Sequence, residues 1–300
     1  MALGTAWVLD WITRSAAIIA EHRVELLTLD REIGDGDHGE NMDRGFSAVL
    51  ANLPDVASDA TPGDVLKLVA TTLISTVGGA SGPLFGTAYL KAAGAVAGVP
   101  ELDGAAIVAL LTAARDGVVL RGKAEVGDKT MIDAWTPAVD AAASAQAAGE
   151  PEAAILEAAA VAAAEGAAAT EPLVARKGRA SYLGDRAIGH RDPGAQSTAL
   201  LLREAAALPA FFAPLAPKIT RLRALAQEAE VPLAALLLLF AASAPGVSRA
   251  VIGVDTPANL CDNLAAAAYA KQAEQLRPEL QQIAEETTEF ILPYTWPPRS

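Results

Sequence analysis

The sequence predicts a mainly α-helical protein, and three observations carry that reading. Alanine and leucine dominate an apolar share of 52%, aromatic residues make up only 5%, and runs of β-branched residues are few. Apolar residues also recur at the spacing of a helix face. From Thr5 to about Ala20, Val8, Trp11, Ile12, Ala16 and Ile19 fall on one such face. The stretch VELLTLDRE is charged and helical in character, and Asn41 to Leu53 reads as a short helix stopped by Pro54. Thr61-Pro62-Gly63-Asp64 is a helix start, and an apolar-striped helix follows to Val77. GGASGPLFGTAYL interrupts the pattern before helix resumes to about Val96. Asp103 to Val119, Thr130 to Ala148 and the alanine-dense Pro151 to Thr170 are further helices. Asp192 caps a last one, with Pro193 at its first position, reaching about Ala207. The count to that point is roughly eight helices, with no persuasive strand.

Pro209, Pro214 and Pro217 then mark a boundary, dividing the chain into residues 1–207 and 208–300. The second part reads as a small α/β or helical tail. It holds helices at Ile219–Glu230 and Pro232–Ala242, a turn at Pro245-Gly246, a strand at Arg249–Val254, and a helix at Pro257–Ala270 capped through Asp255-Thr256.

Composition sets limits on function. Three hundred residues with this apolar content suffice for a real core. A net charge of −13 without a basic patch argues against nucleic acid as a partner. Cys261 is the only cysteine, so no internal disulfide forms; it is expected as a small packed residue on a helix. The first residues lack the layout of a signal peptide, and VPLAALLLLFAASA is too short to cross a bilayer. A cytoplasmic protein without membrane insertion is therefore expected.

LDREIGDGDHGENMDRG contains the spacing G-x-G-x-x-G, yet Asp30, Asp35 and Asp37 crowd the place where a pyrophosphate would lie. At 100° per residue, a continuous helix puts Asp30 and Asp37 on one face and Asp35 well round the cylinder. The three converge only if the helix breaks, and Gly34, Gly36 and Gly39 are expected to break it. Three convergent carboxylates suit a hard cation with oxygen ligands, through which phosphate can bind. A solvated acidic loop between helices is the alternative on these residues alone. A dinucleotide fingerprint lacks its preceding buried strand. An EF-hand fails as well, because counting from Asp35 puts Glu40 and Phe46 where glycine and glutamate are required. Elsewhere, GGASG offers backbone N–H groups, RGKAEVGDKTM adds glycines and a helix start, and RKGRASYLG with GHRDPG adds cations and another helix N-terminus. Together these are the parts of a nucleotide phosphate site without a Walker A sequence.

Those four blocks, in order and suitably spaced over residues 1–207, resemble the nucleotide-binding L subunits of dihydroxyacetone kinases. The resemblance implies a closed bundle of antiparallel helices that holds ADP or ATP at one end through two Mg²⁺ ions. It implies Asp30, Asp35 and Asp37 as metal ligands. Nucleotide contacts are implied at His38, Gly39, Glu40 (through backbone), Asn41, Ala80, Ser81, Gly122, Met131, Arg179, Asp192, Pro193 and Gly194. A separate K subunit would hold dihydroxyacetone, and an M subunit would supply phosphate from a phosphohistidine; a homodimer is left open. No K-like portion stands in this chain, which favours the separate-subunit, phosphotransferase-system arrangement. Catalysis here would be positioning and charge neutralisation, with His38 a nucleotide contact and His190 a loop-packing residue. Another ketose or acyl substrate is the neighbouring alternative.

The tail, LRALAQEAEVPLAALLLLFAASAPGVSRAVIGVDTPANLCDNLAAA, resembles the last helix–strand–helix of aldo-keto reductases, which implies an NADP-binding oxidoreductase role as a further alternative. A lone strand cannot close such a barrel.

Overall fold

The computed structural model describes residues 3–57, 59–207, 215–254 and 257–287. Among the described residues of the first part stand nine α-helices: α1 Thr5–Glu21, α2 Arg23–Ile33, α3 His38–Asn52, α4 Pro62–Thr76, α5 Ser81–Ala95, α6 Gly104–Gly122, α7 Ile132–Ala147, α8 Glu152–Ala169 and α9 Pro193–Ala206. Short 3-10 segments lie at Leu53–Asp55 and Arg179–Ala187. The expected mainly helical fold is found, with no strand among the described residues beyond an isolated bridge between Leu3 and Leu102. The count of eight grows to nine because VELLTLDRE forms its own helix, separated from α1 at His22. The start of α4 is a full capping box, in which Thr61 Oγ1 accepts from Asp64 N and the Asp64 carboxylate accepts from Thr61 N. Thr61→Ala is expected to lower stability by about 1 kcal/mol, read as a shift of the urea midpoint at constant slope.

From α3 onward, each helix packs on its successor, and α9 returns to α1, which itself packs on α3. This closes the bundle. Neighbours run antiparallel: Gly63 near the start of α4 faces Ala93 and Val96 at the end of α5, while Gly86 of α5 faces Ala70 and Ile74. The inward faces make one apolar core, in which Ile12, Phe46, Leu66, Leu73, Phe85, Ile107 and Leu111 are buried to 1% exposure or less. Each such side chain stabilises the fold by about 1.5–3 kcal/mol relative to an exposed position. Trp11 fastens the closure. It stacks on Trp7 with ring centroids 5.3 Å apart, and its indole Nε1 donates to the Leu201 carbonyl of α9 at 2.9 Å.

An up-and-down ring sends alternate connections to the same end. The loops α2–α3 (34–37), α4–α5 (77–80), α6–α7 (123–131) and α8–α9 (170–192) are therefore neighbours. These hold the four unusual sequence blocks.

The chain divides into two compact units, the first ending at Ala207 and the second following it. In the second, α10 Ala216–Glu228, α11 Leu233–Ala242, α12 Pro257–Ala265 and α13 Ala270–Ile283, with a 3-10 turn at Ala266–Tyr269, gather around Leu225, Val231, Leu236, Ala273 and Leu280. The expected strand at Arg249–Val254 does not form. Those residues have no secondary structure, and Val251 is 99% exposed, because no second strand stands beside them to pair with. Cys261 is exposed on α12, not packed as expected. The expected cap Asp255-Thr256 and the boundary prolines Pro209 and Pro214 lie outside the described residues. No single helix among the described residues is long and apolar enough to cross a membrane.

Candidate functional site

The break in the acidic loop is real, though only two of its three glycines make it. Helix α2 ends at Ile33, and Gly36 takes φ +74°, a left-handed turn that other residues resist. Helix α3 restarts at His38. Gly39 lies inside α3, contrary to expectation, and serves close packing. A Cβ there would sit 2.1 Å from the Arg23 carbonyl oxygen and 2.9 Å from the Leu27 nitrogen, both on α2. The result brings one carboxylate oxygen from each of Asp30, Asp35 and Asp37 within 4.8 Å of one another. Asp30 is buried and fixed, since its Oδ2 accepts from Asp37 N at 2.8 Å and His38 N at 3.1 Å. Asp35 pairs with Arg179 at 2.9 Å.

These carboxylates face a cavity of about 190 Å³. Of the sequence-predicted residues, Asp30, Asp35, Asp37, His38, Ala80, Ser81, Met131, Arg179, Asp192, Pro193 and Gly194 line it. Gly39, Glu40, Asn41 and Gly122 are not in the lining. Glu40 turns to Arg23, with its Oε1 2.8 Å from Nη1. Asn41 pairs with Arg44 and abuts Gly78. A Cβ at Gly122 would meet Leu84 at 3.3 Å, so Gly122 packs behind a lining residue. His38 joins three walls: its Nδ1 lies 2.8 Å from Ser81 Oγ and its Nε2 3.0 Å from Ser197 Oγ. Burial lowers its pKa to about 4 against the pull of the three aspartates, so the ring is neutral at pH 7. At the start of α9 Asp192 caps the helix, its Oδ2 accepting from Ala195 N at 2.8 Å. A carboxylate cluster, a helix N-terminus, backbone-rich small residues and the cations Lys177 and Arg179 thus share one opening.

Residues 32–207 match the DAK2 domain model. The chain belongs to the DAK2 domain family. The ADP-binding subunit DhaL of the PEP-dependent dihydroxyacetone kinase of Escherichia coli (strain K12) is 45% identical over 203 residues, covering 68% of this chain and 96% of that one. The ADP-binding subunit DhaL of the PTS-dependent dihydroxyacetone kinase of Lactococcus lactis subsp. lactis (strain IL1403) is 40% identical, covering 64% and 92%. Among solved structures, the dihydroxyacetone kinase from C. freundii in complex with AMP-PNP and Mg²⁺ is 25% identical with a TM-score of 0.51, covering 69% of this chain and 34% of that chain. This chain thus spans about a third of that enzyme's length. The family match stops at Ala207, and the described residues of the tail hold no strand, which does not bear out the reductase-like expectation.

Sequence reasoning about the DAK2 domain missed Gly79, Leu84, Lys129, Thr130 and Lys177 as lining residues. All five lie within the four sequence blocks, close to predicted site residues. The burial of Lys129 was not legible there, because it depends on carbonyls supplied from residues 170–190.

Burial raises the Asp192 pKa to about 7, outweighing its hydrogen bond from Ala195. Between the unfolded value near pH 4 and about 7, the folded state of the DAK2 domain holds the extra proton. Stability from this group is therefore full below pH 4 and is lost as pH rises through 7. The depressed His38 acts in the opposite sense, so the variant comparison isolates Asp192. In chelator, Asp192→Asn is expected to gain thermal stability over the parent as pH goes from 5 to 8, read by melting curves at each pH.

Proposed function

We propose that this chain is the nucleotide-binding phosphotransferase subunit of a dihydroxyacetone kinase, passing the γ-phosphoryl group of a Mg²⁺-bound ATP to dihydroxyacetone held on a partner K subunit and keeping the ADP that remains. The observation that carries the reading is the set of three aspartate oxygens within 4.8 Å at the edge of the cavity. The donor set fits the ion. It is all carboxylate oxygen; two ligands on one Mg²⁺ at about 2.1 Å each span up to about 4.2 Å, so oxygens as much as 4.8 Å apart suit ligands shared between two neighbouring ions. In this reading Asp30, Asp35 and Asp37 hold two Mg²⁺ ions, which when bound neutralise phosphate charge. The remaining work belongs to the chain itself. The backbone at Gly79–Ser81 and the α9 N-terminus seat the nucleotide, Lys177 and Arg179 meet its negative charge, and neutral His38 keeps three walls in register.

The names of the relatives, ADP-binding subunits of PEP-dependent and PTS-dependent dihydroxyacetone kinases, support a PEP-dependent system. In the reading proposed here ADP stays bound, an M subunit rephosphorylates it from a phosphohistidine, and the chain works in the cytoplasm. Purified chain is expected to retain about one ADP, detected by mass spectrometry and released by chelator. Nucleotide-free protein that fails to take up ADP with Mg²⁺ would overturn the reading. A second substrate is favoured by one finding: an L-erythrulose 1-kinase of Mycolicibacterium smegmatis (strain ATCC 700084 / mc(2)155) is 37% identical, covering 62% of this chain and 32% of that one. Phosphorylation of dihydroxyacetone against erythrulose, with each candidate K subunit added, separates the two.

A further inference from the structure

Lys129 is a buried cation that the proposed chemistry does not use. It is 1% exposed and takes φ +63°, left-handed backbone that a lysine adopts only under constraint from its surroundings. Its loop imposes that constraint. The Asp133 carboxylate accepts from Gly127 N and, at 2.7 Å, from Thr130 N, while Asp128 Oδ2 accepts from Glu125 N at 2.9 Å. The Lys129 ammonium then spends its three protons on backbone carbonyls: Thr170 at 2.6 Å, Glu171 at 3.3 Å, and His190. No donor is left over for a ligand.

Those carbonyls flank the segment that delivers Asp192, Pro193 and Gly194 to the cavity. Thr170 Oγ1 accepts from Asp192 N at 2.9 Å, and Gly189 N donates to Glu171 O at 2.8 Å. Next to Lys129, Asp128 O accepts from Arg176 N at 3.0 Å, which ties in the loop carrying Lys177 and Arg179. Met131 follows two residues on, its side chain within 3.4 Å of a Cβ built at Gly194. Burying an ammonium is costly, and a hydrophobic residue would fill the space without that penalty. Burial disfavours the charged form of Lys129 while the carboxylates of Asp192, Glu171 and Asp133 favour it; its hydrogen bonds all go to backbone, and what those bonds hold in place explains the charge retained here.

We propose that Lys129 is a positioning residue for the nucleotide. Pinning residues 170–171 to residue 190 sets the wall formed by Met131 and Asp192–Gly194, which shares the cavity with the aspartate cluster. The inference rests on the nucleotide reading above. The test uses the full chain and two variants, Lys129→Met and Thr170→Val; the second removes the acceptor for Asp192 N and the hydroxyl's bond to the Ala167 carbonyl, and leaves the Lys129 carbonyl partner in place. Calorimetry measures the affinity of each for MgADP, with melting curves alongside. Both variants are expected to bind MgADP more weakly by about tenfold or more, the scale of losing an orienting partner. A purely structural role would lower the melting temperature and leave the MgADP affinity of the folded protein unchanged. That outcome in both variants would overturn the assignment. Should Lys129→Met fail to fold, Lys129→Gln, whose amide keeps two of the three donors, is measured in its place. A parent chain that takes up no MgADP brings down the nucleotide reading and this one with it, whereas a binding parent with equally tight variants removes Lys129 only.

Discussion

Asp35→Ala and Asp37→Ala are each expected to abolish Mg²⁺-dependent ADP binding while leaving the fold intact. The two halves of that statement have separate causes. Among the described residues the ion-pair partner of Asp35 is Arg179, whose side chain is 66% exposed, so loss of Asp35 leaves no buried charge unpaired. Asp37 stands at the N-cap position of α3 but makes no capping hydrogen bond from its side chain. Removing either also relieves repulsion within the carboxylate cluster. Stability should therefore change by about 0.5 kcal/mol or less, in either direction. Binding should suffer far more, by over the roughly 10–100-fold that loss of an outer-shell partner brings, since a ligand itself is gone. Asp30→Ala is a poorer probe, because Asp30 also accepts from the Asp37 and His38 amides and its loss disturbs the loop. Calorimetric titration of MgADP into each variant, with melting curves alongside, checks both halves. Unchanged ADP affinity in the folded variants contradicts the assignment.

Gly39→Ala is expected to have the largest effect on the fold and the site together. The added methyl would lie 2.1 Å from the Arg23 carbonyl oxygen and 2.9 Å from the Leu27 nitrogen. Both are backbone atoms within α2, so no side chain can swing aside, and α2 and α3 must part. Overpacking of this kind costs about 1–3 kcal/mol or more. The same movement separates Asp30 on α2 from the start of α3, where Asp37 and His38 accompany it. Lower stability in urea and weaker MgADP binding should therefore appear together. A Gly39→Ala protein with the parent's stability would show that the helices are not held as closely as described.

Most helices of the first unit were legible because each carries its own apolar stripe and start signal, as Thr61–Asp64 and Asp192-Pro193 show. The acidic loop was legible for a different reason. Asp35 cannot join Asp30 and Asp37 on a continuous helix, and the break needed was written nearby in Gly34 and Gly36. What escaped depends on contacts between distant residues. Gly39 looked like a third breaker, yet its constraint comes from Arg23, which one chain position cannot announce. Lys129, in a polar loop, reads as solvated until residues 170–190 fold over it. Arg249–Val254 carries β-branched residues that suit a strand, but a strand forms only beside another, and the described tail offers none. Helix α13 was missed altogether, Pro278 interrupting a pattern whose apolar positions are few.

The central claim is that three aspartates at a glycine-broken bend hold divalent ions, and that those ions hold a nucleotide. Anomalous diffraction from crystals grown with Mn²⁺ and ADP tests it most directly. The account predicts anomalous density between Asp30, Asp35 and Asp37, in contact with the phosphates of an ADP seated against Ser81 and Gly194. Nucleotide bound in the cavity with no anomalous density among the three carboxylates would contradict it.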